Sequence, residues 1–212
     1  MKNPFQVVKD FEAALCDYTG APYAVTTSSC TMALLLAVAW HLRGMGTYPG
    51  RHSIEIPKRT YVSVPMSIIH AGGRPVFRDD DWHGAYRLEP LPVWDCARRF
   101  ARHMYTMAVE AVDHRSVMLC TSFHWSKILG IQQGGAILHD DAKADAWLRR
   151  ARFDGRAEGV APKDDVFTFA GWHAYMSPEI AAAGLVRLPI IGAGGDLPND
   201  DYPDLSQMEI FK

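Results

Sequence analysis

Lys127 is a single lysine in "TSFHWSKILGIQQGGAILHDD" (121–141), with strand-forming residues on both sides. A partly buried lysine near other cations has a lowered pKa, because burial disfavours the charged ammonium, and its neutral amine can then attack a carbonyl carbon. The alternative is a solvated loop lysine, which is where this residue type is usually found. The chemistry that surrounds Lys127 therefore has to distinguish the two interpretations.

Other polar side chains follow apolar runs in a similar way. Asp95 ends "LPVWD", Ser122 ends "SVMLCTS", and small polar residues at 28–31 precede the apolar run "MALLLAVAW". The carboxyl ends of strands in an open α/β sheet are where ligands bind. Each residue also has a structural alternative, namely a helix cap for Asp95 and a turn or cap for Ser122 and Thr31.

Together, these residue types meet the needs of pyridoxal 5'-phosphate. Its phosphate favours hydroxyls and backbone N–H groups at a helix N-terminus, and its pyridine nitrogen favours a carboxylate. Its aldehyde requires a lysine amine. The loop at 28–31, Asp95, Ser122 and Lys127 supply these groups in chain order. We therefore expect a pyridoxal phosphate site.

Alternating strands and helices must position these residues. Apolar residues at helical spacing predict a first helix that ends at Gly20, and the later segments alternate. The predicted strands are 23–30, 53–57, 74–79, 91–95, 116–122 and 134–140, and the further helices are 31–44, 61–73, 141–155 and 177–188. This alternation predicts an α/β fold, with a three-layer, doubly wound, mostly parallel sheet. We expect one compact domain over 1–190 and an irregular tail over 191–212.

Composition excludes several classes of function. The 212 residues are 48% hydrophobic, enough for one sizeable core, and the formal net charge is -2 without long runs of one sign. We therefore expect no nucleic-acid or membrane partner, and the polar N-terminal segment indicates a cytoplasmic protein. The four scattered cysteines and nine histidines lack disulfide or metal-ligand spacing, so no metal is expected.

Five segments, in order, resemble the DegT/DnrJ/EryC1/StrS family of fold-type I aminotransferases, which act mostly on nucleotide-linked keto sugars. The segments are "FEAALCDYTGAPYAVTTSSCTMALLLAVA", "IPKRTYVSVPMSIIHAGGRPVFRD", "VWDCAR", "SFHWSKILGIQQGGAILHDD" and "GWHAYMSPEIAAAGLVRL". The resemblance covers roughly residues 5 to 188, with gaps. It implies the large domain of a fold-type I enzyme and a homodimer with shared active sites.

The resemblance also implies site roles. It makes Lys127 the Schiff-base lysine that forms an internal aldimine, and Asp95 the partner of the pyridine nitrogen. Thr31 and Ser122 become phosphate ligands, and Tyr61 the aromatic that stacks on the cofactor ring, although Tyr61 could instead be a packed core residue. The cofactor-binding positions implied are Ser29, Cys30, Thr31, Tyr61, Asp95, Arg98, Ser122, Lys127 and His173.

Some of these positions depart from the family pattern. Cys30 replaces a glycine in the phosphate loop, so a side chain must be accommodated there. Arg98 replaces a glutamine and could recruit a carboxylate. His173 stands where the family has an asparagine that reaches the cofactor phosphate of the neighbouring subunit, and it could take over that role. His124 is interpreted as a structural histidine hydrogen-bonded to the backbone.

Two regions are shorter than the family pattern. From the resemblance, we expect a strand and helix pair to be lost or compressed between Phe77 and Val93, and the small C-terminal domain to be largely missing after Leu188. The pairs Arg98-Arg99 and Arg149-Arg150 are interpreted as solvated helix faces.

The leading hypothesis is an aminotransferase with a small-molecule amino donor and a keto sugar or related acceptor. The second hypothesis keeps the cofactor and makes the enzyme a decarboxylase of an amino acid or of an aminoacyl-modified small molecule, such as a modified nucleoside. The third is a degenerate, non-catalytic homologue. A buried Asp95 and Lys127 count against the third, because buried charges without a function are unfavourable.

Overall fold

The computed structural model describes residues 5–43, 52–112 and 116–212. The predicted end of the second helix at Gly44 and the first four residues of the polar N-terminal segment lie outside this range. The helices are α1 (Gln6–Thr19), α2 (Cys30–Leu42), α3 (Ser63–His70), α4 (Met104–Val112), α5 (Ala142–Ala151) and α6 (Pro178–Arg187). The strands are β1 (Tyr23–Thr27), β2 (Ser53–Pro57), β3 (Arg74–Arg78), β4 (Tyr86–Arg87), β5 (Val93–Cys96), β6 (Arg99–Ala101), β7 (Met118–Ser122), β8 (Gly135–His139) and β9 (Gly194–Asp196).

The largest sheet has five strands in the order β1-β8-β7-β5-β4. The α/β class is confirmed, but the pairing within this sheet is less parallel than expected. Of its neighbouring pairs in the described residues, β5 and β7 are parallel, whereas β8 runs antiparallel to β1 and β7, and β4 to β5. The segment 123–134 that joins β7 to β8 contains no helix, so no crossover places the two strands side by side in parallel. Strands β1, β5 and β7 nevertheless share one direction.

Two smaller sheets complete the strand pairing. Strands β2 and β3 are parallel, and α3 connects them, as the sequence predicted. Strands β6 and β9 are antiparallel and join the tail to the segment after β5.

The core lies on both faces of the five-stranded sheet, which gives three layers. On one face, Val25 and Ile137 pack in a cluster with α2, whose side chains are buried on nearly every side. On the other face, Ala24 and Leu138 pack with α1 and α6, around Phe11. Because successive side chains of a strand point to opposite faces, both faces of β1 and β8 are covered.

Two sequence interpretations need correction. Arg99 lies on β6 rather than on a helix, where its guanidinium donates two hydrogen bonds of 2.8 and 2.7 Å to Asp196 of β9. Arg98 is only 8% exposed. The alternation pattern did not reveal β6 or α4, because both are short elements that begin among polar residues.

The second arginine pair is on α5, as predicted, but it is not a solvated face. Arg149 is half-buried and forms ion pairs with Glu12 of α1 and Asp145. Arg150 is also partly buried and donates to the carbonyl of Val166 and, at 3.4 Å, to Asp165. The pair therefore connects α5 to other elements.

The tail over 191–212 contains strand β9 and two short 3₁₀ helices, Leu205–Gln207 and Glu209–Phe211. Leu205 is fully buried, and its N–H donates to the carbonyl of Lys58. The tail therefore packs on the domain. No helix in the described part of the chain has both the length and the apolar character needed to cross a membrane.

Candidate functional site

A cavity of about 530 Å³ opens where β5 and β7 end and α2 begins. Eight of the nine predicted site residues line it: Ser29, Cys30, Thr31, Tyr61, Asp95, Arg98, Ser122 and Lys127. We predicted from the sequence that these residues lie close together, because polar residues at the carboxyl ends of strands meet at one edge of a sheet. The structure places them around one space.

The N-terminus of α2 forms one wall of the cavity. The hydroxyl of Ser29 caps the helix by accepting a hydrogen bond of 3.2 Å from the N–H of Met32. The hydroxyl of Thr27 donates a hydrogen bond of 2.9 Å to the Ser29 carbonyl. The N–H groups of Cys30 and Thr31 lie in the first helical turn, where no intrahelical acceptor exists. The hydroxyl of Thr31 is hydrogen-bonded to that of Ser63 at 2.8 Å. This arrangement can bind an anion such as a phosphate.

Gly135, the second residue of the pair Gly134-Gly135 that precedes "AILHD", lies beneath this wall. A Cβ there would be 2.6 Å from the Cys30 nitrogen and 2.7 Å from the Thr121 oxygen, so only glycine fits. The side chain of Cys30 is accommodated by burial, with its Sγ donating to the Cys120 carbonyl at 3.6 Å. Burial raises the pKa of the Cys30 thiol well above its ordinary value. Cys30 therefore packs as a neutral thiol.

Asp95 lies on β5 at the bottom of the cavity and is 5% exposed. Its Oδ1 accepts from the Ala97 N–H at 2.8 Å, and its Oδ2 accepts from the Tyr86 hydroxyl at 2.8 Å. Burial raises the pKa of Asp95, while these two donors and the charge of Lys127 oppose the rise. The carboxylate is thus held in one orientation, with lone pairs left for a further donor.

Lys127 lies in the loop after β7, where its N–H donates to the His124 carbonyl at 2.8 Å. Its side chain is half-buried in the cavity. Burial and the nearby charge of Arg98 lower the pKa of Lys127, and Asp200 and Asp95 oppose this. A larger fraction of neutral amine is therefore present near neutral pH than on a free lysine.

Ser122 and Tyr61 both line the cavity, but Ser122 is buried and Tyr61 is exposed. Ser122 ends β7, is 8% exposed, and accepts from the His124 N–H at 3.4 Å. Tyr61 is 58% exposed and is therefore not a packed core residue. His124 lies at the rim, and its Nδ1 accepts from the Ser126 N–H at 3.4 Å, in line with a structural role.

His173 does not reach this cavity. Its Nδ1 is 2.9 Å from Oδ2 of Asp154, and its ring contacts that of Tyr175 edge-on. The exposed fraction of its side chain is 72%. The role suggested for His173 concerns the site of a neighbouring subunit, so it stays a prediction.

Sequence reasoning missed several residues of the cavity. Trp82 comes from the segment interpreted as compressed, and Asp200 and Tyr202 come from the tail. Tyr86, from the same compressed segment, does not line the cavity but binds Asp95, which does. The rings of Trp82 and Tyr202 stack with centroids 6.2 Å apart. No local pattern marks these residues, because neither segment has helix or strand periodicity.

Arg98 is paired with the tail. Its Nη1 donates to Oδ2 of Asp200 at 2.5 Å, and its Nη2 donates to the carbonyl of Pro198. The Tyr202 hydroxyl also donates to Asp200, at 3.1 Å. The described residues contain no group of three or more His, Cys, Asp or Glu side chains that could hold a metal ion.

Residues 2–90 match the sequence model of the DegT/DnrJ/EryC1/StrS aminotransferase family. GDP-perosamine synthase of Caulobacter vibrioides is 28% identical over 216 residues, which cover 85% of this chain and 56% of that protein. Spore coat polysaccharide biosynthesis protein SpsC of Bacillus subtilis is 42% identical over 84 residues, which cover 40% of this chain and 20% of that protein. The chain thus spans little more than half the length of the first relative.

Solved structures share the fold. The sugar aminotransferase CalS13 from Micromonospora echinospora superposes with a TM-score of 0.69 at 18% identity, covering 87% of this chain and 60% of that one. A DegT DnrJ EryC1 StrS aminotransferase from Brucella abortus superposes with a TM-score of 0.63 at 23% identity, and the match covers 87% of this chain and 58% of that one. Most of this chain therefore has the same fold as somewhat more than half of each of these two chains.

Proposed function

We propose that this chain, whose residues 2–90 match the model of the DegT/DnrJ/EryC1/StrS aminotransferase family, is a pyridoxal phosphate-dependent aminotransferase acting on a keto sugar or a related small molecule. The observation that carries the proposal is the cavity itself. It brings a lysine with a lowered pKa, a buried carboxylate and a helix N-terminus around one space of suitable size.

The residues present fit the cofactor. The first turn of α2, Ser29, Thr31 and Ser122 would hold the phosphate, and the tight packing over Gly135 keeps that turn in place. Asp95 would hold the protonated pyridine nitrogen. Tyr61, exposed at the mouth, would cover one face of the ring. Lys127 would hold the aldehyde carbon covalently through Nζ.

When bound, the cofactor supplies an electron sink for the electrons of the bond broken at the substrate α-carbon. Once the amino group of the substrate has displaced Lys127 from the aldehyde carbon, the freed neutral amine of Lys127 would take the proton from the α-carbon, and the resulting ammonium would return a proton. Burial and Arg98, which lower the pKa of Lys127, favour the neutral form that must accept this proton. Asp95 would accept a hydrogen bond from the pyridine nitrogen, and the hydrogen bonds from Ala97 and Tyr86 fix its orientation.

The proposed acceptor is a keto sugar, and the proposed assembly is a homodimer. The similarity to GDP-perosamine synthase of Caulobacter vibrioides supports a sugar acceptor. A homodimer with shared sites would use His173, which is exposed on the surface away from its own cavity. The cytoplasmic location stays a prediction.

Borohydride trapping tests cofactor attachment. Purified protein is incubated with pyridoxal phosphate, reduced, digested and analysed by mass spectrometry. We expect the reduced adduct on Lys127, an absorption band that disappears on reduction, and loss of both in Lys127→Ala. Lys143→Ala, which changes an exposed lysine on α5, is the matched control and should behave as wild type. Equal trapping in Lys127→Ala and wild type would refute the assigned role.

The reaction is tested by supplying amino acids to the loaded protein. Formation of pyridoxamine phosphate together with the keto acid indicates transamination. Release of carbon dioxide instead indicates the decarboxylase, and no turnover with an intact adduct indicates the non-catalytic homologue. The aminotransferase proposal requires the first outcome.

A further inference from the structure

We propose that Arg98 forms a carboxylate-binding subsite within the cavity, which the chain's own Asp200 fills in this structure, and that its ligand is the carboxylate of the amino donor. The donor part of this inference rests on the proposed function. The subsite itself rests on the geometry around Arg98.

Arg98 is placed and equipped to bind a carboxylate. It lines the cavity together with Lys127 and is 8% exposed. A guanidinium offers a planar fork that matches both oxygens of a carboxylate. Here one arm of the fork meets a single oxygen of Asp200, and the other meets the carbonyl of Pro198. The Arg98 Nε is buried and has no hydrogen-bond partner among the described residues. The fork is therefore only partly matched by the tail.

The adjacent arginine shows what a closed pair looks like in the same region. Arg99 uses Nε and Nη2 to bind both oxygens of Asp196, and the β6–β9 pairing fixes the two residues. Asp200 lies beyond β9, and the exposed fraction of its side chain is 59%. A carboxylate so exposed is held weakly, since solvent screens its attraction to the guanidinium. Asp200 can thus leave Arg98 without disrupting β9.

The residues around Asp200 show how the tail covers the cavity. The N–H of Leu197 donates to the Arg98 carbonyl at 2.8 Å, which fixes the start of the covering segment. Tyr202 stacks on Trp82, and Arg59 donates to the Tyr202 carbonyl at 3.2 Å. Asp200 and Tyr202 therefore lie over the space that also contains Lys127.

An α-amino acid carries the two groups that Lys127 and Arg98 would bind in the cavity, an amine and a carboxylate. Its amino nitrogen must reach the carbon held by Lys127, and its carboxylate is attached to the same α-carbon. Arg98 acts on the charge state of Lys127, so the two cations are close enough for electrostatic coupling. A ligand that engages both groups therefore replaces Asp200 on Arg98.

Calorimetric titration of the full chain with succinate, without cofactor, tests the subsite. We expect Asp200→Asn to bind succinate about two- to fivefold more tightly than wild type, because the competing carboxylate is neutralised. Asp201→Asn, which removes an exposed neighbouring charge, is the matched control and should not change affinity. Arg98→Gln should weaken binding by about tenfold or more.

The double variant Arg98→Gln/Asp200→Asn guards against misfolding, because it removes both members of the pair, and circular dichroism checks its fold. It should fold and bind succinate as weakly as Arg98→Gln. Unchanged affinity in Asp200→Asn, or an equal gain in Asp201→Asn, overturns the inference. Because the titration needs no cofactor, its failure leaves the borohydride result intact, and a failed borohydride test leaves the titration intact.

Discussion

The hydroxyl of Tyr86 donates a hydrogen bond of 2.8 Å to Oδ2 of Asp95, and both residues are 5% exposed. The same hydroxyl is 2.5 Å from Thr60 Oγ1, which can donate to it. Burial raises the pKa of the Tyr86 hydroxyl well above its ordinary value, so it remains a donor. Strand β4 thus supplies a fixed hydrogen-bond donor, the Tyr86 hydroxyl, to the carboxylate of Asp95.

Tyr86→Phe should weaken cofactor binding by about tenfold, because Asp95 loses a donor that stabilises its ionised form. The measurement is the dissociation constant of pyridoxal phosphate from a fluorescence titration. Tyr105→Phe is the matched control, since it removes another buried hydroxyl, which donates to the Val117 carbonyl at 3.3 Å. Both variants should lose about 1 kcal/mol of stability, and only Tyr86→Phe should lose affinity. Equal affinities in the two variants would contradict the role of Tyr86.

Gly135→Ala should displace the first turn of α2, because the added Cβ would lie 2.6 Å from the Cys30 nitrogen. We expect a stability loss of about 1–3 kcal/mol and a weakened phosphate site. Affinity for pyridoxal phosphate should fall, whereas affinity for pyridoxal, which lacks the phosphate, should change little. Gly72→Ala is the control for a general loss of stability, because its φ of +90° strains any side chain while the residue does not line the cavity; it should lower stability and leave both affinities unchanged. A parallel loss of affinity for both ligands would count against a phosphate site at this turn.

His139 should make stability depend on pH. Burial lowers the pKa of His139 from 6.5 to about 4, so the folded chain binds fewer protons than the unfolded chain in that range. Stability is therefore retained above pH 6.5 and falls as the pH decreases towards 4, by up to about 3 kcal/mol. Urea unfolding at several pH values should show this slope in wild type and a smaller one in His139→Phe, which keeps a ring against Tyr23. His70→Gln, an exposed histidine, is the control; a slope in His139→Phe equal to that of wild type would exclude His139 as its source.

Glu12→Gln should destabilise the protein by about 3–5 kcal/mol, because it removes the buried carboxylate that two guanidinium groups share and leaves the buried Arg152 only the more exposed Glu158 as a charged partner. Glu12 lies 2.5 Å from Nη1 of Arg152, a residue that is 1% exposed, and 2.6 Å from Nη1 of Arg149. Chemical denaturation measures the loss. Glu158→Gln is the matched control, since Glu158 pairs with the same Arg152 from a more exposed position and should lose about 1 kcal/mol or less. A reversed order would show that the ion pair with Glu12 contributes little.

Much of the candidate site was predictable because its residues follow local patterns. Asp95 is the next-to-last residue of β5 and Ser122 ends β7, the small polar residues at 28–31 lead into the first turn of α2, and Gly135 begins β8. Such patterns depend on side chains within a few positions of one another, and the carboxyl ends of β5 and β7 meet because the two strands are parallel neighbours. Lys127 then follows from the loop that joins β7 to β8.

Tertiary structure alone decided the partners of these residues. Tyr86 meets Asp95 because β4 pairs with β5, and Asp200 meets Arg98 across 102 positions of sequence. Arg152, directly after α5, pairs with Glu12, which lies 140 positions earlier in the sequence. The sequence by itself determined the longer strands and helices around the cavity and the side chains at their ends, because those properties are local, but it did not determine β4, β6, β9 or α4. The choice of partner depends on how the layers pack, and that is a property of the whole chain.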